Sequence, residues 1–396
     1  MKLIGTTVRG LRAPIIREGD NLVDIVVNTV FDAAREGNFQ LKDKDVIGIT
    51  ESIVARAQGN YATVDDIAND VISKFGVNQT IVLLGPILSR NRFAICLKGI
   101  AMAAKKIVLM LAFPYDEVGN AVMTEDQLFE FKPEINYSII NIDEYNSICK
   151  SYKHPFTGIN YVHYYKQIIE DTGAECEVYL CNNPFRMLFH SKNMIDCLIH
   201  STNPRTIKKL EEEGATIYRL SDILNKPINN SGYNEEYGLL GSNKVDENHI
   251  KLFPRDGQKL VDSIQKELEK RTGVRLEVMI YGDGAFCDPV GKIWELADPV
   301  ISPAYTDGLN GTPNELKLKY LADNQFAELR GENLQEAISV VIKEKNNNLV
   351  GKMDSQGTTP RRYTDLLGSL CDLTSGSGDK GTPIVLIQNY FENYAS

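Results

Sequence analysis

Strand-like apolar segments alternate with amphipathic helical segments along most of this 396-residue chain. In residues 21–35 the apolar side chains recur at helical spacing, and Thr63 is a suitable N-cap for a helix that follows it. This alternation predicts an α/β fold. The predicted strands are 2–8, 45–50, 79–84, 106–113, 275–281 and 384–388. The predicted helices are 21–35, 63–75, 256–272, 315–329, 333–345 and 363–373.

The composition changes between residues 114 and 236, where Asn, Tyr and Lys become more frequent. Strand and helix patterns continue through this stretch, and a polar segment at 225–235 closes it. We therefore predict a three-part chain in which a smaller α/β region is inserted into a core. The predicted parts are a first core segment at 1–113, the inserted region at 114–236 and a second core segment at 237–396.

Charge and cysteine content exclude several classes of protein. The chain carries 43 basic and 53 acidic residues, a net charge of −10, which argues against general binding to nucleic acid or to acidic membranes. We find neither a membrane-spanning run nor a signal-peptide pattern. The seven cysteines are scattered without zinc-ligand spacing, so we expect reduced thiols and a cytoplasmic location.

Three separated segments indicate a phosphate-binding site. They are residues 8–20, the strand end at 278–284, and the glycine-rich loop T-S-G-S-G-D-K-G-T-P at 374–383. Glycines in such a loop let backbone N–H groups converge on an anion, and Lys380 adds a positive charge. A Gly/Ser loop before a strand is more often a simple turn, and that reading stays open for this segment taken by itself.

The first of two blocks of motifs resembles the coenzyme F420 gamma-glutamyl ligase family. Residues 10–20, G-L-R-A-P-I-I-R-E-G-D, resemble that family's G-L-P-L-I-K-E-G-D turn, and residues 51–59 resemble its S-T-V-I-S-K-A-E-G segment. The resemblance implies that the turn holds a nucleotide through its backbone and that Arg56 replaces a lysine near the phosphates. Implied nucleotide contacts in this block are Ala13, Pro14, Ile15, Ile16, Glu51, Ser52 and Arg56.

The second block, at about 237–390, resembles the family's G-I-D-A-S-N, I-T-D-T and G-E-G-G-D-G-I-P segments. Two positions depart from the family pattern, because Leu240 and Gly282 stand where the family has metal-binding aspartates. We therefore predict Asp283, beside Gly282, as a metal ligand together with Asp379. Reserve carboxylates are Asp288, Glu295, Asp298 and Asp307. Further implied nucleotide contacts are Asn243, Gly376, Ser377, Gly378, Asp379, Lys380 and Gly381.

The resemblance implies a twisted mixed β-sheet core with flanking helices, commonly in a homodimer. It also implies a ligase that uses GTP or ATP with Mg²⁺ or Mn²⁺ to join L-glutamate to a cofactor-like acid, coenzyme F420-0 or a relative. Arg56 and Lys380 are then the expected catalytic cations. Two alternatives remain open. One is a ligase for another acceptor, such as a folate-type pterin, and the other is a non-catalytic nucleotide-binding homologue that has lost the metal site.

Overall fold

The computed structural model describes residues 2–131, 138–200, 203–284, 297–357, 359–376 and 378–396. Its strands form three sheets. They are β1 (Thr7–Leu11), β2 (Val46–Thr50), β3 (Tyr61–Thr63), β4 (Gln79–Leu84), β5 (Ala104–Leu111), β6 (Ile139–Asn141), β7 (Glu175–Cys181), β8 (Asn193–Asp196), β9 (Thr216–Arg219), β10 (Asn243–Lys244), β11 (His249–Lys251), β12 (Glu277–Tyr281), β13 (Ala304–Tyr305) and β14 (Ile384–Gln388).

Helices cover the larger sheets. They are α1 (Leu22–Glu36), α2 (Glu51–Ala57), α3 (Val64–Phe75), α4 (Phe93–Ala103), α5 (Glu125–Phe131), α6 (Ile142–Cys149), α7 (Tyr161–Asp171), α8 (Pro204–Glu212), α9 (Gly257–Thr272), α10 (Leu318–Tyr320), α11 (Gly331–Glu344) and α12 (Tyr363–Thr374). A π-helical turn, Leu321–Gln325, continues α10, and short 3₁₀ turns lie at Pro184–Phe189, Leu220–Asp222 and Asp307–Leu309. No helix among the described residues is long and apolar enough to cross a membrane.

The five-stranded sheet joins the two ends of the chain. Its order is β1-β14-β2-β12-β13, with β2 and β12 parallel and the other neighbours antiparallel. Helices α1 and α9 pack on one face, and α12 packs on the other. A mixed sheet with helices on both faces confirms the predicted fold class. The parallel pair places the carboxyl ends of β2 and β12 side by side.

The six-stranded sheet has the order β6-β7-β5-β4-β8-β9, in which only β6 runs antiparallel to its neighbour. Helices α3, α4 and α7 cover one face, and α8 covers the other. This sheet begins at Gln79, ahead of the boundary predicted at residue 113. The third sheet is small and has the order β10-β11-β3.

Local sequence signals explain several helix starts. The Asn21 side chain accepts a hydrogen bond from the Asp24 N–H and caps α1, and Thr63 forms a capping box with Asp66 at the start of α3. The prediction of a helix over 315–329 is confirmed only in part, because the helical turns cover residues 318–325. Glu315 and Lys317 form backbone hydrogen bonds with residues 354–356, so tertiary pairing replaces the predicted first turn of this helix. The strand predicted at 2–8 also begins later, at Thr7.

Candidate active site

A polar cavity of about 290 Å³ lies where the carboxyl ends of β2 and β12 meet. It receives residues from the five-stranded sheet, from the loop before α4 and from the end of α12. Residues of the six-stranded and five-stranded sheet regions therefore meet in one site. Its lining residues are Thr50, Glu51, Ser52, Arg92, Asn243, Gly282, Asp283, Asp298, Asp372, Ser375 and Pro383.

Arg92 bridges two carboxylates in this cavity. Its Nη2 donates to Asp283 Oδ2 at 2.6 Å, and its Nη1 donates to Asp298 Oδ1 at 2.7 Å. Burial by itself would lower the pKa of Arg92, but the carboxylates of Asp298 and Asp283 outweigh burial and raise the pKa. The guanidinium is therefore a permanent cation, and its fork geometry holds both acids at fixed positions.

Gly282 makes room for Asp298. A Cβ built at position 282 would overlap Asp298 Oδ2, so a residue with a side chain does not fit here without moving that carboxylate. The same Oδ2 accepts a hydrogen bond from the Asp283 N–H at 2.8 Å. The Asp298 carboxylate thus lies in the space that a side chain at position 282 would need.

Asp372, near the end of α12, contributes a further carboxylate. Its Oδ2 accepts a hydrogen bond from the Gly284 N–H at 2.9 Å. Burial raises the pKa of Asp372, the Gly284 N–H opposes that rise, and the nearby Asp298 adds to it. An ionised Asp372 is consequently less favourable here than in water, and a cation in the cavity would stabilise it.

Glu51, the first residue of α2, forms a buried ion pair. Lys251 Nζ donates to both oxygens of Glu51, at 2.9 and 3.0 Å. Burial raises the pKa of Glu51, and the attraction of Lys251 opposes the rise. Among the described residues, four carboxylates line the cavity, and Arg92 in the cavity and Lys251 beside Glu51 offset two of their negative charges when all are ionised.

The comparison with family models is decisive. The model of the family described as F420-0:Gamma-glutamyl ligase matches residues 10–389, nearly the whole chain. The chain belongs to this family. Membership implies a ligase enzyme and confirms the resemblance inferred from the motifs. No curated protein matches the chain.

Four of the predicted gamma-glutamyl ligase site residues line the cavity: Glu51, Ser52, Asn243 and Asp283. They come from distant parts of the sequence, and β2, β10 and β12 deliver them to one place. Of the reserve carboxylates, Asp298 also lines the cavity, whereas Asp307 is exposed on a 3₁₀ turn. Asp288 and Glu295 lie outside the described residues.

The predicted phosphate loop adjoins the cavity through its two ends, Ser375 and Pro383. Two of its N–H groups are used inside the loop, because Gly381 N donates to the Gly378 carbonyl and Thr382 N donates to the Gly376 carbonyl. The loop tip, with Gly378, Asp379 and Lys380, is exposed and does not line the cavity. Ser377 lies outside the described residues.

The amino-terminal turn packs against this loop. Ala13 N donates to the Gly381 carbonyl at 3.2 Å, and Arg12 Nε donates to the Lys380 carbonyl at 3.4 Å. Pro14 and Ile15 are exposed, and Ile16 is buried in the core beneath α1. Arg56 lies exposed in the last turn of α2, away from the lining residues. The turn and the loop thus form a contiguous rim beside the cavity.

Arg92 and Asp372 were missed by the sequence analysis. Arg92 ends the segment S-R-N-R that follows β4, and a basic loop at the carboxyl end of a parallel strand was a usable signal. Asp372 lies inside an ordinary amphipathic helix, and nothing in its sequence context marks it.

Proposed function

We propose that this chain is a nucleotide- and divalent-metal-dependent gamma-glutamyl ligase whose reaction centre is the acidic cavity. Family membership supports the ligase activity. The observation that carries the location is the convergence of four carboxylates and Arg92 in one cavity beside the predicted phosphate loop. The proposed substrates are GTP or ATP, L-glutamate and an acceptor acid of the coenzyme F420-0 type.

The proposed reaction has two steps. An oxygen of the acceptor carboxylate attacks the γ-phosphorus, which breaks the bond to the nucleoside diphosphate and leaves an acyl phosphate. The glutamate amine then attacks the acyl carbon, inorganic phosphate departs and the nitrogen loses a proton. The first step concentrates negative charge, so it requires preorganised cations near the transferred group.

The cavity has the donors that magnesium or manganese prefers. Asp283, Asp372, Asn243 and Ser375 supply oxygen atoms, and the excess negative charge suits a divalent cation. No group of three or more His, Cys, Asp or Glu side chains that could hold a metal ion is found in the described part of the chain. The proposal therefore requires the metal to bind through one or two carboxylates together with substrate phosphates and water, as Mg²⁺ usually does. The metal, when bound, would neutralise charge on the transferred phosphoryl group.

Arg92 is the proposed cation within the cavity, where it fixes Asp283 and Asp298. Lys380 and Arg56 stay predicted phosphate contacts on the rim. Lys380 lies folded over Gly376, since a Cβ at Gly376 would come within 2.6 Å of its side chain. Asp379 stays a predicted second metal ligand, which requires bound phosphates to extend from the cavity to the loop tip. A homodimer is also proposed, on the family resemblance.

A second function is favoured by one observation. Arg92 engages Asp283 and Asp298 together, as a metal ion would, and Leu240 offers no ligand. A homologue that binds the nucleotide without catalysis, with Arg92 in place of the metal, fits these contacts. A ligase for a pterin-type acid is the remaining alternative, because Leu240 and Gly282 depart from the carboxylate pattern that the family resemblance implies.

The test is product formation by the purified chain. Coenzyme F420-0, L-glutamate, GTP or ATP, and Mn²⁺ or Mg²⁺ are combined, and each component is omitted in turn. The proposal expects a product heavier by one glutamyl residue in mass spectra and stoichiometric phosphate release. If the chain binds nucleotide but releases no phosphate with either F420-0 or a pterin acid as the acceptor, the non-catalytic alternative is established instead.

A further inference from the structure

A second cavity, of about 230 Å³, lies at the carboxyl edge of the six-stranded sheet and shares no lining residue with the acidic cavity. It is mostly apolar and lies between the sheet and α8. Its lining residues are Leu84, Gly85, Met110, Ala112, Cys181, Asn182, Pro184, Asp196, Leu198, Asn203, Thr206, Ile207 and Leu210.

The strand order places this cavity at a topological switch point. The chain starts the parallel part of the sheet at β4, adds β5 and then β7 on one side, and crosses back to add β8 and β9 on the other. The order therefore reverses between β4 and β8. In open α/β sheets the connections diverge at such a point and leave a crevice outside the carboxyl ends, which is where ligands bind.

The floor of the cavity is one row of side chains across the sheet. Leu84 at the end of β4 pairs in register with Met110 of β5 and with Asp196 of β8. Residues in register on neighbouring strands face the same side of the sheet. Two members of the row are apolar and the third is a carboxylate with only 2% of its surface exposed.

The wall of the cavity is one stripe of α8. The residues that reach it are Asn203, Thr206, Ile207 and Leu210, at helical positions i, i+3, i+4 and i+7. The Asn203 side chain accepts from the N–H groups of Arg205 and Thr206, so it serves to cap the helix. The sheet residues form the floor of the cavity and the α8 residues form its wall, and both are largely aliphatic. A flat ring would fit between them.

The charge of the lining residues narrows the choice of ligand. Asp196 is the one carboxylic acid among the described lining residues, and none of them is Lys or Arg. Its Oδ1 accepts from the Leu198 N–H at 3.3 Å. A buried carboxylate accepts hydrogen bonds from N–H groups and repels a phosphate group. The cavity volume of about 230 Å³ is below the roughly 300 Å³ at which pockets for drug-sized ligands begin.

We propose that this cavity binds an uncharged heteroaromatic ring with N–H donors, of the size of a nucleobase or nucleoside, with an N–H group donating to Asp196. The site is separate from the reaction centre and does not rest on the ligase proposal. It assigns a binding role to the carboxyl edge of the six-stranded sheet between β4 and β8, whose residues do not line the acidic cavity.

The test uses adenosine and guanosine as uncharged probes, AMP as the charged comparison, and calorimetry in buffer without divalent metal. We expect saturable nucleoside binding and AMP binding at least about tenfold weaker. Ala112→Phe, which fills the cavity, is expected to weaken nucleoside binding at least about tenfold. Ala34→Phe, a matched change on α1, and Asp372→Asn in the acidic cavity are expected to leave nucleoside binding unchanged.

Failure of both nucleosides to bind the wild-type chain, or undiminished binding to Ala112→Phe, overturns the proposal. Loss of binding in Asp372→Asn also overturns it, since the probe would then occupy the acidic cavity. If Ala112→Phe does not fold, Asp196→Asn is the deciding variant, because it keeps the shape of the side chain and removes its charge. It is expected to reduce the preference for adenosine over AMP to within about threefold, and an unaltered preference contradicts the assignment.

Discussion

The carboxylate of Asp298 fills the space that a side chain at Gly282 would need. The motif resemblance implies that Gly282 stands where the family has an aspartate, and in this chain the carboxylate of Asp298 lies next to that position. Arg92 and the Asp283 N–H hold it there. The glycine at 282 and the acid at 298 thus depend on each other.

Gly282→Ala is therefore expected to displace Asp298 and disturb the Arg92 bridge. We expect a loss of about 1–3 kcal/mol in the free energy of unfolding, the usual effect of overpacking, together with reduced ligase turnover. Gly5→Ala is the matched control, because no atom lies within 4 Å of a Cβ built there. Urea denaturation of both variants measures the difference, and equal stability would show that Asp298 moves aside without cost.

Arg92→Ala should leave Asp283 and Asp298 without their shared cation. Removing one partner of a buried ion pair lowers the free energy of unfolding by about 3–5 kcal/mol. Asp283 and Arg92 are partly exposed, so the expected loss for Arg92→Ala lies at or below the lower end of that range. Arg90→Ala, two residues away and exposed, is the control. Chemical denaturation compares the two variants, and similar small losses would mean that the bridge contributes little to stability.

Asp372 should make stability depend on pH. Burial raises its pKa above the ordinary value of 3.8, so the folded state binds a proton more readily than the unfolded state. The stabilisation that the folded state gains from this tighter proton binding is fully present below about pH 3.8. It is lost as the pH rises through the pKa of Asp372 in the folded state. Asp372→Asn is thus expected to be more stable than wild type at pH 7, with a gap that narrows toward pH 4.

Denaturation midpoints between pH 4 and 8 measure this gap. Asp32→Asn, on the surface of α1, serves as the control and should show no such trend. A gap that widens on acidification would give the opposite sign and refute the assignment to Asp372.

The Glu51–Lys251 pair predicts strong coupling in a double-mutant cycle. Lys251→Met leaves the buried Glu51 carboxylate without its partner and is expected to cost about 3–5 kcal/mol. The double variant Glu51→Gln/Lys251→Met removes both charges and should recover much of that loss. Additive losses from the two single changes would mean that the pair is not energetically coupled.

Sequence reasoning predicted elements whose signals are local. The apolar spacing over residues 21–35 and the N-cap at Thr63 predicted the bounds of α1 and α3 within a residue or two. Helix α4 was missed because nearly all of its residues are buried, which removes the amphipathic period on which the prediction depends. The helix predicted over 315–329 begins late because residues 315–317 pair with residues 354–356, a contact that the local sequence does not show.

Residues of the candidate site could be predicted from the sequence only where they lie in a motif that resembles the family. Glu51, Ser52, Asn243 and Asp283 lie in segments that resemble the family, and they line the cavity together. The ion pairs of Arg92 join residues 191 and 206 positions apart. No local pattern encodes such contacts, because they arise only when the two sheet regions pack against each other.

Nucleotide titration in the presence and absence of Mn²⁺ tests the central claim most directly. GTP is titrated into wild type, Asp283→Ala, Asp379→Ala and the surface control Asp32→Ala, with folding checked by circular dichroism. The account predicts that Mn²⁺ raises GTP affinity at least about tenfold in wild type and the control, and that each site variant loses this gain. Unchanged metal-dependent affinity in both Asp283→Ala and Asp379→Ala would contradict it.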